Sequence, residues 1–179
     1  MVDEDNNLVT ETLSGRINSF GLLVDKYQNP MFNLAYRITL NYDSAKDITQ
    51  EAFIKAYYKL STFKKEEKFF SWIYRITLNE CLNYKRNIKN SNIEREDVID
   101  NSDSTIDIIE KEEMRKKINI EINKLEHKYK ILILLKHYEN LSYEEISDIL
   151  LIPIGKVKSR LYIAREKLRL TLGDLTDEK

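Results

Sequence analysis

Residues that interrupt regular structure are scarce in this chain. Its 179 residues include 4 glycines and 2 prolines, whereas average usage would supply about 21 such residues. Turn-rich β-sandwiches need many of them, and a phosphate-binding loop needs clustered glycines. Leu, Ile, Lys and Glu, which favour or tolerate helices, are abundant instead. The sequence therefore predicts an all-α fold.

Charge is unevenly distributed although the formal net charge is -1. From Glu94 to Glu113 nine acidic side chains outnumber two basic ones, and from Pro153 to Leu170 six basic side chains outnumber one acidic one. We therefore expect two small helical domains joined by a flexible acidic linker. In chain order the expected parts are a disordered N-terminus (1–14), a first domain (15–88), the linker (89–106), a second domain (107–173) and a tail (174–179).

No sequence motif points to catalysis. His127 and His137 have no neighbouring cysteine with which to form a metal site. The sequence has no nucleophile elbow, no metalloprotease motif and no Walker lysine. We expect a protein that is not an enzyme and has no cofactor, no metal and no small-molecule substrate.

Three features favour a cytoplasmic location. Cys81 is the single cysteine, so no internal disulfide can form. No apolar run approaches the roughly 18 residues that a membrane-spanning helix requires. The N-terminus is acidic, unlike that of a signal peptide.

Four helices are predicted in the first domain, near 18–28, 31–40, 43–60 and 69–87. Pro30 is expected just before the second helix, and Asp43 is a candidate N-cap for the third. The third helix has a core stripe of Ala45, Ile48, Ala52 and Ala56. Its opposite face carries Asp47, Gln50, Glu51, Ile54 and Tyr58. An ordinary solvated face is one interpretation; a docking face for a basic helix is the other, because two apolar side chains lie beside the acids.

The fourth predicted helix carries a polar and aromatic strip beside its core residues. The strip comprises Trp72, Arg75, Asn79 and Arg86, and the preceding loop adds Phe63, Lys64 and Lys65. Aromatic rings can stack on unpaired bases while cations bind phosphates, so the strip is suited to single-stranded nucleic acid. Burial of Trp72 in the core is the competing interpretation.

The second domain ends in a helix-turn-helix pattern. Two helices are expected between Asp107 and Tyr138, with a break near Leu125–His127. A short helix then opens with a Ser142–Glu145 capping box and stops near Pro153. The next helix, near 155–170, has a core stripe of Val157, Leu161, Ala164 and Leu168. Its other side presents Lys156, Lys158, Ser159, Arg160, Tyr162, Ile163 and Arg165. Such a face fits the DNA major groove, although a basic helix face can also be merely solvated.

Three segments resemble the extracytoplasmic-function sigma factors, which are subunits of bacterial RNA polymerase. Asp43–Phe53 is similar to the family's D-A-x-D-x-x-Q-E-x-F signature. Phe69–Asn79 is similar to its F-x-x-W-L-x-x-I-A-x-N stretch. Leu141–Ile146, together with Ile152–Leu161, resembles region 4.

The resemblance implies a transcription initiation factor with three sets of binding residues. Those expected to dock on the clamp helices of the largest polymerase subunit are Asp47, Gln50, Glu51 and Ile54. Those expected to contact the melted -10 element of promoter DNA are Phe63, Lys64, Lys65, Trp72, Arg75, Asn79 and Arg86. Those expected to read the -35 duplex are Lys156, Lys158, Ser159, Arg160, Tyr162 and Arg165. The second domain would also meet the flap of the second-largest subunit, and an anti-sigma factor, often membrane-anchored, would hold the protein inactive.

Some residues depart from the family pattern. Ile163 stands where a basic residue is common, and Lys156 where Thr is common, which bears on -35 preference. Two other classes remain open from the residues alone. One is a stand-alone helix-turn-helix regulator whose first domain senses a signal or dimerises, and the other is a helical adaptor that binds only protein.

Overall fold

The computed structural model describes the backbone of residues 2–90 and 117–176. Helices and their connections account for all of these residues, and no β-strand occurs among them, which confirms the all-α prediction. The chain divides into two compact units, Met1–Ile99 and Asp100–Lys179. Most of the predicted linker, and the predicted helix start near Asp107, lie outside the described residues. Within the described ranges no helix is both long and apolar enough to cross a bilayer.

The described part of the first unit, residues 2–90, contains four helices. They are α1 (Val2–Leu13), α2 (Ile17–Thr39), α3 (Tyr42–Tyr58) and α4 (Phe69–Asn90), with a 3-10 turn at Leu60–Thr62 before α4. Helix α2 packs against the other three, and α3 also packs against α4. Leu23, Met31 and Ile73 are fully buried between them. The predicted core stripe of α3 is confirmed, because all four of its residues are buried.

Helix α1 corrects the expectation that residues 1–14 are disordered. Asp5 is buried and its carboxylate accepts hydrogen bonds from Lys26 Nζ and the Tyr27 hydroxyl, each at 2.5 Å. Val9 and Thr12 are buried beside it. A charged side chain is buried stably only when it is paired and hydrogen-bonded. These contacts to α2 hold a segment that is too polar to be recognised as helix from its own sequence.

Helix α2 merges the two helices that were expected at 18–28 and 31–40. Pro30 lies inside α2 rather than before a new helix. An interior proline removes a backbone hydrogen bond and costs about 3 kcal/mol. Tyr27, Met31 and Leu34 are buried on either side of it, and burial of this kind stabilises the continuous helix. The helix ends at Thr39, and its C-cap residue Leu40 adopts a left-handed conformation with φ 54°.

The N-cap of helix α3 lies two residues before the predicted one. Asn41, not Asp43, is the N-cap, and its side chain accepts a hydrogen bond from the Ser44 backbone N–H at 2.8 Å. Asp43 lies in the first turn instead, where a negative charge is favourable next to the helix dipole.

The second unit is described from residue 117 onwards. Its helices are α5 (117–124), α6 (His127–Ile133), α7 (Tyr143–Leu150) and α8 (Ile154–Thr176), and α6 continues into a π-helical turn at Leu134–Tyr138. The predicted break near Leu125–His127 is confirmed. Helices α6 and α7 pack on α8, around the buried side chains of Leu132, Ile146 and Leu161. Helix α8 extends past the predicted end at Leu170.

Candidate functional site

The outer face of α3 is exposed as predicted. Asp47, Gln50 and Glu51 are exposed, and the Ile54 side chain is 51% exposed. Lys55 Nζ lies 3.3 Å from the Glu51 carboxylate and 2.6 Å from that of Glu80. The hydrogen bond to Glu80 is the main cause that raises the pKa of Lys55. An acidic face with an exposed branched aliphatic residue can bind a partner helix that is both basic and apolar.

An apolar groove adjoins Ile54 on this face. The groove is open, has a volume of about 700 Å³, and runs between the start of α2 and the end of α3. Its exposed apolar lining comprises Ile17, Leu22, Ile54, Tyr57 and Tyr58. Sequence reasoning missed Ile17 and Leu22. A sequence signal was available, because both residues are apolar and yet neither lies on the buried face of α2.

The two aromatic residues of the predicted -10 surface are buried in the chain without DNA. Trp72 is 8% exposed and Phe63 is 9% exposed. Their ring centroids are 5.5 Å apart, and each lies 5.6 Å from the centroid of buried Phe69. The rings meet their neighbours edge-on or at a tilt, as aromatic residues in protein cores do. Trp72 and Phe63 support the loop from beneath.

The polar residues of the same strip remain near the surface. Lys64, Lys65, Asn79 and Arg86 are exposed, and Arg75 is half-buried. The Arg86 guanidinium donates to Asn83 Oδ1 at 2.6 Å. The loop and the outer side of α4 therefore present a group of cations and an amide above the buried aromatic cluster.

The helix-turn-helix forms as the sequence predicts. Ser142 Oγ accepts the Glu145 backbone N–H at 3.1 Å, and the Glu145 carboxylate accepts the Ser142 N–H at 2.8 Å. Helix α7 ends at Leu151, whose φ is 53°. Ser147 Oγ donates to the Ile152 carbonyl oxygen at 2.6 Å, which closes the turn. Local contacts thus fix the angle at which α8 leaves α7.

The predicted recognition face of α8 points away from the core. Val157, Leu161 and Ala164 are buried, whereas Lys156, Lys158, Ser159, Tyr162 and Arg165 are exposed. Arg160 is half-buried. Arg165 Nε donates to His137 Nε2 at 3.3 Å. Burial, followed by the charge of Arg165, lowers the pKa of His137, so the neutral ring can accept this bond.

A second group of side chains lies beside this face and was missed by sequence reasoning. The ammonium groups of Lys136 and Lys158 lie 4.8 and 5.6 Å from the centroid of the Tyr143 ring. Lys136 also donates to the Leu141 carbonyl oxygen at 2.9 Å. The π-helical turn that carries Lys136 gave no recognisable sequence signal. These contacts extend the cationic surface of α8 towards the start of α7.

The described part of the chain offers no metal site. No group of three or more His, Cys, Asp or Glu side chains within residues 2–90 and 117–176 could hold an ion. Cys81 is fully buried, and this burial raises the pKa of its thiol to about 12. A thiol in this state is neither a ligand nor a nucleophile.

Family models match both units. Residues 23–91 match the model of sigma-70 region 2, and residues 121–168 match the model of sigma-70 region 4. The first match includes most of α2 together with α3 and α4, and the second includes the helix-turn-helix. The three predicted surfaces therefore lie within matched regions, whereas Ile17 and Leu22 of the groove precede the first match.

Relatives and solved structures agree with these matches along the chain. The chain is 34% identical to the ECF RNA polymerase sigma factor SigW of Bacillus subtilis, over 93% of this chain and 96% of that protein. Its fold is similar to that of CnrH, solved in complex with the cytosolic domain of CnrY, with a TM-score of 0.72, 22% identity and coverage of 96% and 98% of the two chains. It is also similar to the sigma factor RpoE of Bartonella quintana, solved with the anti-sigma factor NepR, with a TM-score of 0.64, 22% identity and coverage of 86% and 96%.

Proposed function

The chain belongs to the extracytoplasmic-function sigma factors. From that premise we propose which contacts with polymerase and promoter DNA each of its two units makes. Members of this family are non-enzymatic subunits that act in transcription initiation. We propose that the first unit binds core RNA polymerase and the melted -10 element, while the second reads the -35 element as duplex. Membership in this family excludes the two alternative functions, a stand-alone regulator and an adaptor that binds only protein.

The exposed cationic face of α8 is the observation that carries the proposal. The capped α7 and the buried stripe of α8 leave Lys158, Ser159 and Tyr162 on the side opposite the core. Lys and Arg side chains bind phosphates and guanine edges, and Ser can bind either kind of group. We propose that this face enters the major groove of the -35 element, with Lys156, Arg160 and Arg165 alongside.

We propose that the acidic face of α3 docks on the clamp helices of the largest polymerase subunit. Asp47, Gln50 and Glu51 supply charge and hydrogen bonds, and Ile54 supplies apolar contact that is exposed in the free protein. Charge complementarity steers such an encounter, while burial of apolar surface stabilises the complex. The second unit is proposed to meet the flap of the second-largest subunit.

For the -10 element we propose a surface made of polar side chains. Lys64, Lys65 and Arg75 would bind phosphates of the non-template strand, and Asn79 and Arg86 would bind further along α4. Unpairing a base costs a few kcal/mol, and contacts of this kind together with those of the polymerase offset that cost. The buried Trp72 and Phe63 hold the loop in place.

Regulation by a protein partner is also proposed. The structure of RpoE was solved with its anti-sigma factor NepR, and the present chain shares that fold. We propose an anti-sigma factor, membrane-anchored as is common in the family, that covers the polymerase-binding surface. As a polymerase subunit the protein is proposed to act in the cytoplasm.

Run-off transcription tests the proposal directly. Purified core polymerase, with and without the chain, would transcribe a set of genomic fragments. Discrete transcripts that require the chain are expected, and their start sites define its -10 and -35 elements. If the chain added no transcript to those of core polymerase alone, the proposed function would be wrong.

A further inference from the structure

An ion pair joins α4 to the loop that precedes it, residues 63–68. Arg75 Nη2 lies 2.7 Å from Glu67 Oε2. The Arg75 side chain is 20% exposed and that of Glu67 is 35% exposed. The guanidinium that is proposed to bind a strand phosphate is therefore already paired with a carboxylate from its own chain.

The loop keeps Glu67 close to Arg75. Phe63 and Phe69, which lie on either side of the loop in sequence, are both buried. The Glu67 backbone N–H donates to the Lys64 carbonyl oxygen at 2.9 Å, which makes a tight turn. Asn6 Nδ2 of α1 donates to the Lys65 carbonyl oxygen at 3.2 Å. A loop held at both ends and in its middle gives the carboxylate a high effective concentration at the guanidinium.

A carboxylate and a phosphate are alternative ligands for one guanidinium. Both present oxygen atoms that fit the N–H fork of arginine. Other cations of the loop, Lys64, Lys65 and Lys68, are exposed. A strand that reaches these lysines would therefore still find Arg75 occupied.

We propose that Glu67 is a positioning residue that occupies Arg75 until a phosphate of the single strand displaces it. The proposal rests on the proposed function, in which Arg75 contacts that strand. Glu67 lowers the affinity of the free loop for any single strand. A strand delivered by the polymerase displaces Glu67, because the other contacts of the complex contribute to its binding.

Binding of the full chain to a labelled oligothymidine of about 15 nucleotides tests this inference, since the contact is to phosphate and needs no particular sequence. Fluorescence anisotropy would be recorded between about 20 and 100 mM NaCl. Glu67→Gln keeps the shape of the side chain and removes its negative charge. Glu66→Gln makes the same charge change at the adjacent exposed residue and is the matched control. Cations of the second unit contribute equally in every variant.

Glu67→Gln is expected to tighten binding about threefold to tenfold, because one part-exposed ion pair no longer has to be broken. The slope of log K against log salt should steepen by about 0.7, the value of one further phosphate contact on a single strand. Glu66→Gln should change affinity less than about twofold and leave the slope unchanged. Equal effects of the two variants would overturn the inference.

Arg75→Ala separates this inference from the proposed function. In the Glu67→Gln background, where Glu67 no longer occupies the guanidinium, Arg75→Ala should weaken binding; if it does not, the proposed role of Arg75 in -10 recognition is wrong. If Arg75→Ala weakens binding but Glu67→Gln behaves like Glu66→Gln, only the role of Glu67 is wrong. In an Arg75→Ala background, Glu67→Gln should have no more effect than the control. A full gain in that background would also overturn the inference.

Discussion

The burial of Trp72 could not be predicted from the periodicity of its own helix. A strip at i, i+3 and i+7 predicts which side chains share a face, but Trp72 lies at the border between that strip and the core residue Phe69. Its burial depends on Phe63, which reaches it from the preceding loop at a centroid distance of 5.5 Å. No pattern within α4 reports a contact of that kind. The polar members of the strip lie at or near the surface, because arginine and asparagine are rarely fully buried.

Trp72→Ala is expected to lower the free energy of unfolding of the first unit by about 3 to 5 kcal/mol, since it removes a large buried side chain. Urea denaturation followed by circular dichroism measures this change. Tyr58→Ala removes an aromatic ring that is 79% exposed and should cost no more than about 0.5 kcal/mol. Equal stability of the two variants would reinstate Trp72 as a ring that is free to stack on bases.

The helices differ in how much of them a sequence reveals. The capping box of α7 was predictable because Ser142 and Glu145 are three residues apart, and the side chain of each accepts the backbone N–H of the other. Helix α1 was not, because its stabilising contacts come from Lys26 and Tyr27 on another helix. Pro30 was misinterpreted for the same reason, since burial on both sides of it outweighs its local preference.

Asp5→Ala is expected to destabilise the first unit by about 1 to 3 kcal/mol, because the buried Tyr27 hydroxyl and the Lys26 ammonium lose their acceptor. Thermal or urea unfolding of the full chain measures the loss. Glu4→Ala is the matched control on the same helix, and because Glu4 is exposed it should cost no more than about 0.5 kcal/mol. An Asp5→Ala protein as stable as the control would mean that α1 is not held by this carboxylate.

Lys158→Ala/Arg160→Ala is expected to reduce run-off transcription at least about tenfold, because two cations of the recognition helix no longer bind DNA. Lys124→Ala/Lys128→Ala removes the same charge from exposed positions of α5 and α6 and should leave transcription within about twofold. Full activity of the α8 variant would show that the second unit does not read promoter DNA through this face.

Two units on one chain carry separate surfaces, and sequence reasoning located both. The acidic face of α3 and the basic face of α8 were predictable because each lies within a single helix, opposite its core stripe. The groove at Ile17 and Leu22 was not predictable, since it forms only when α2 and α3 pack together. The Arg75–Glu67 pair likewise joins residues eight positions apart through a loop whose shape the sequence does not specify.

Asp47→Ala/Glu51→Ala is expected to weaken capture of the chain by core polymerase about tenfold or more, because charged contacts at the centre of an interface are costly to lose. A pull-down titration with purified core measures the change. Glu144→Ala/Asp148→Ala makes the same charge change at the same spacing on exposed positions of α7 and should have little effect. Equal losses in both variants would indicate a general charge effect in place of a docking face.

Recognition of a whole promoter should depend on polymerase. The 16 residues between the end of α4 and residue 107 can extend at most about 58 Å, and duplex and melted sites separated by one and a half turns lie about 50 Å apart. The chain can therefore reach both, and we expect polymerase to set the spacing of the two contacts. The protein alone should bind promoter duplex with a Kd above about 1 μM at physiological salt. Tight binding without polymerase, in an electrophoretic mobility shift assay, would contradict this expectation.

The groove beside Ile54 is also expected to affect the lifetime of the subunit in the cell. Ile17, Leu22 and Tyr58 are more than half exposed there while the protein is free. Contiguous apolar surface of this kind binds other proteins non-specifically, and chaperones and proteases recognise it. Copies made in excess of available polymerase or inhibitor should therefore be cleared faster than assembled ones. In this way the docking surface would itself keep the abundance of the subunit in proportion to that of its partners.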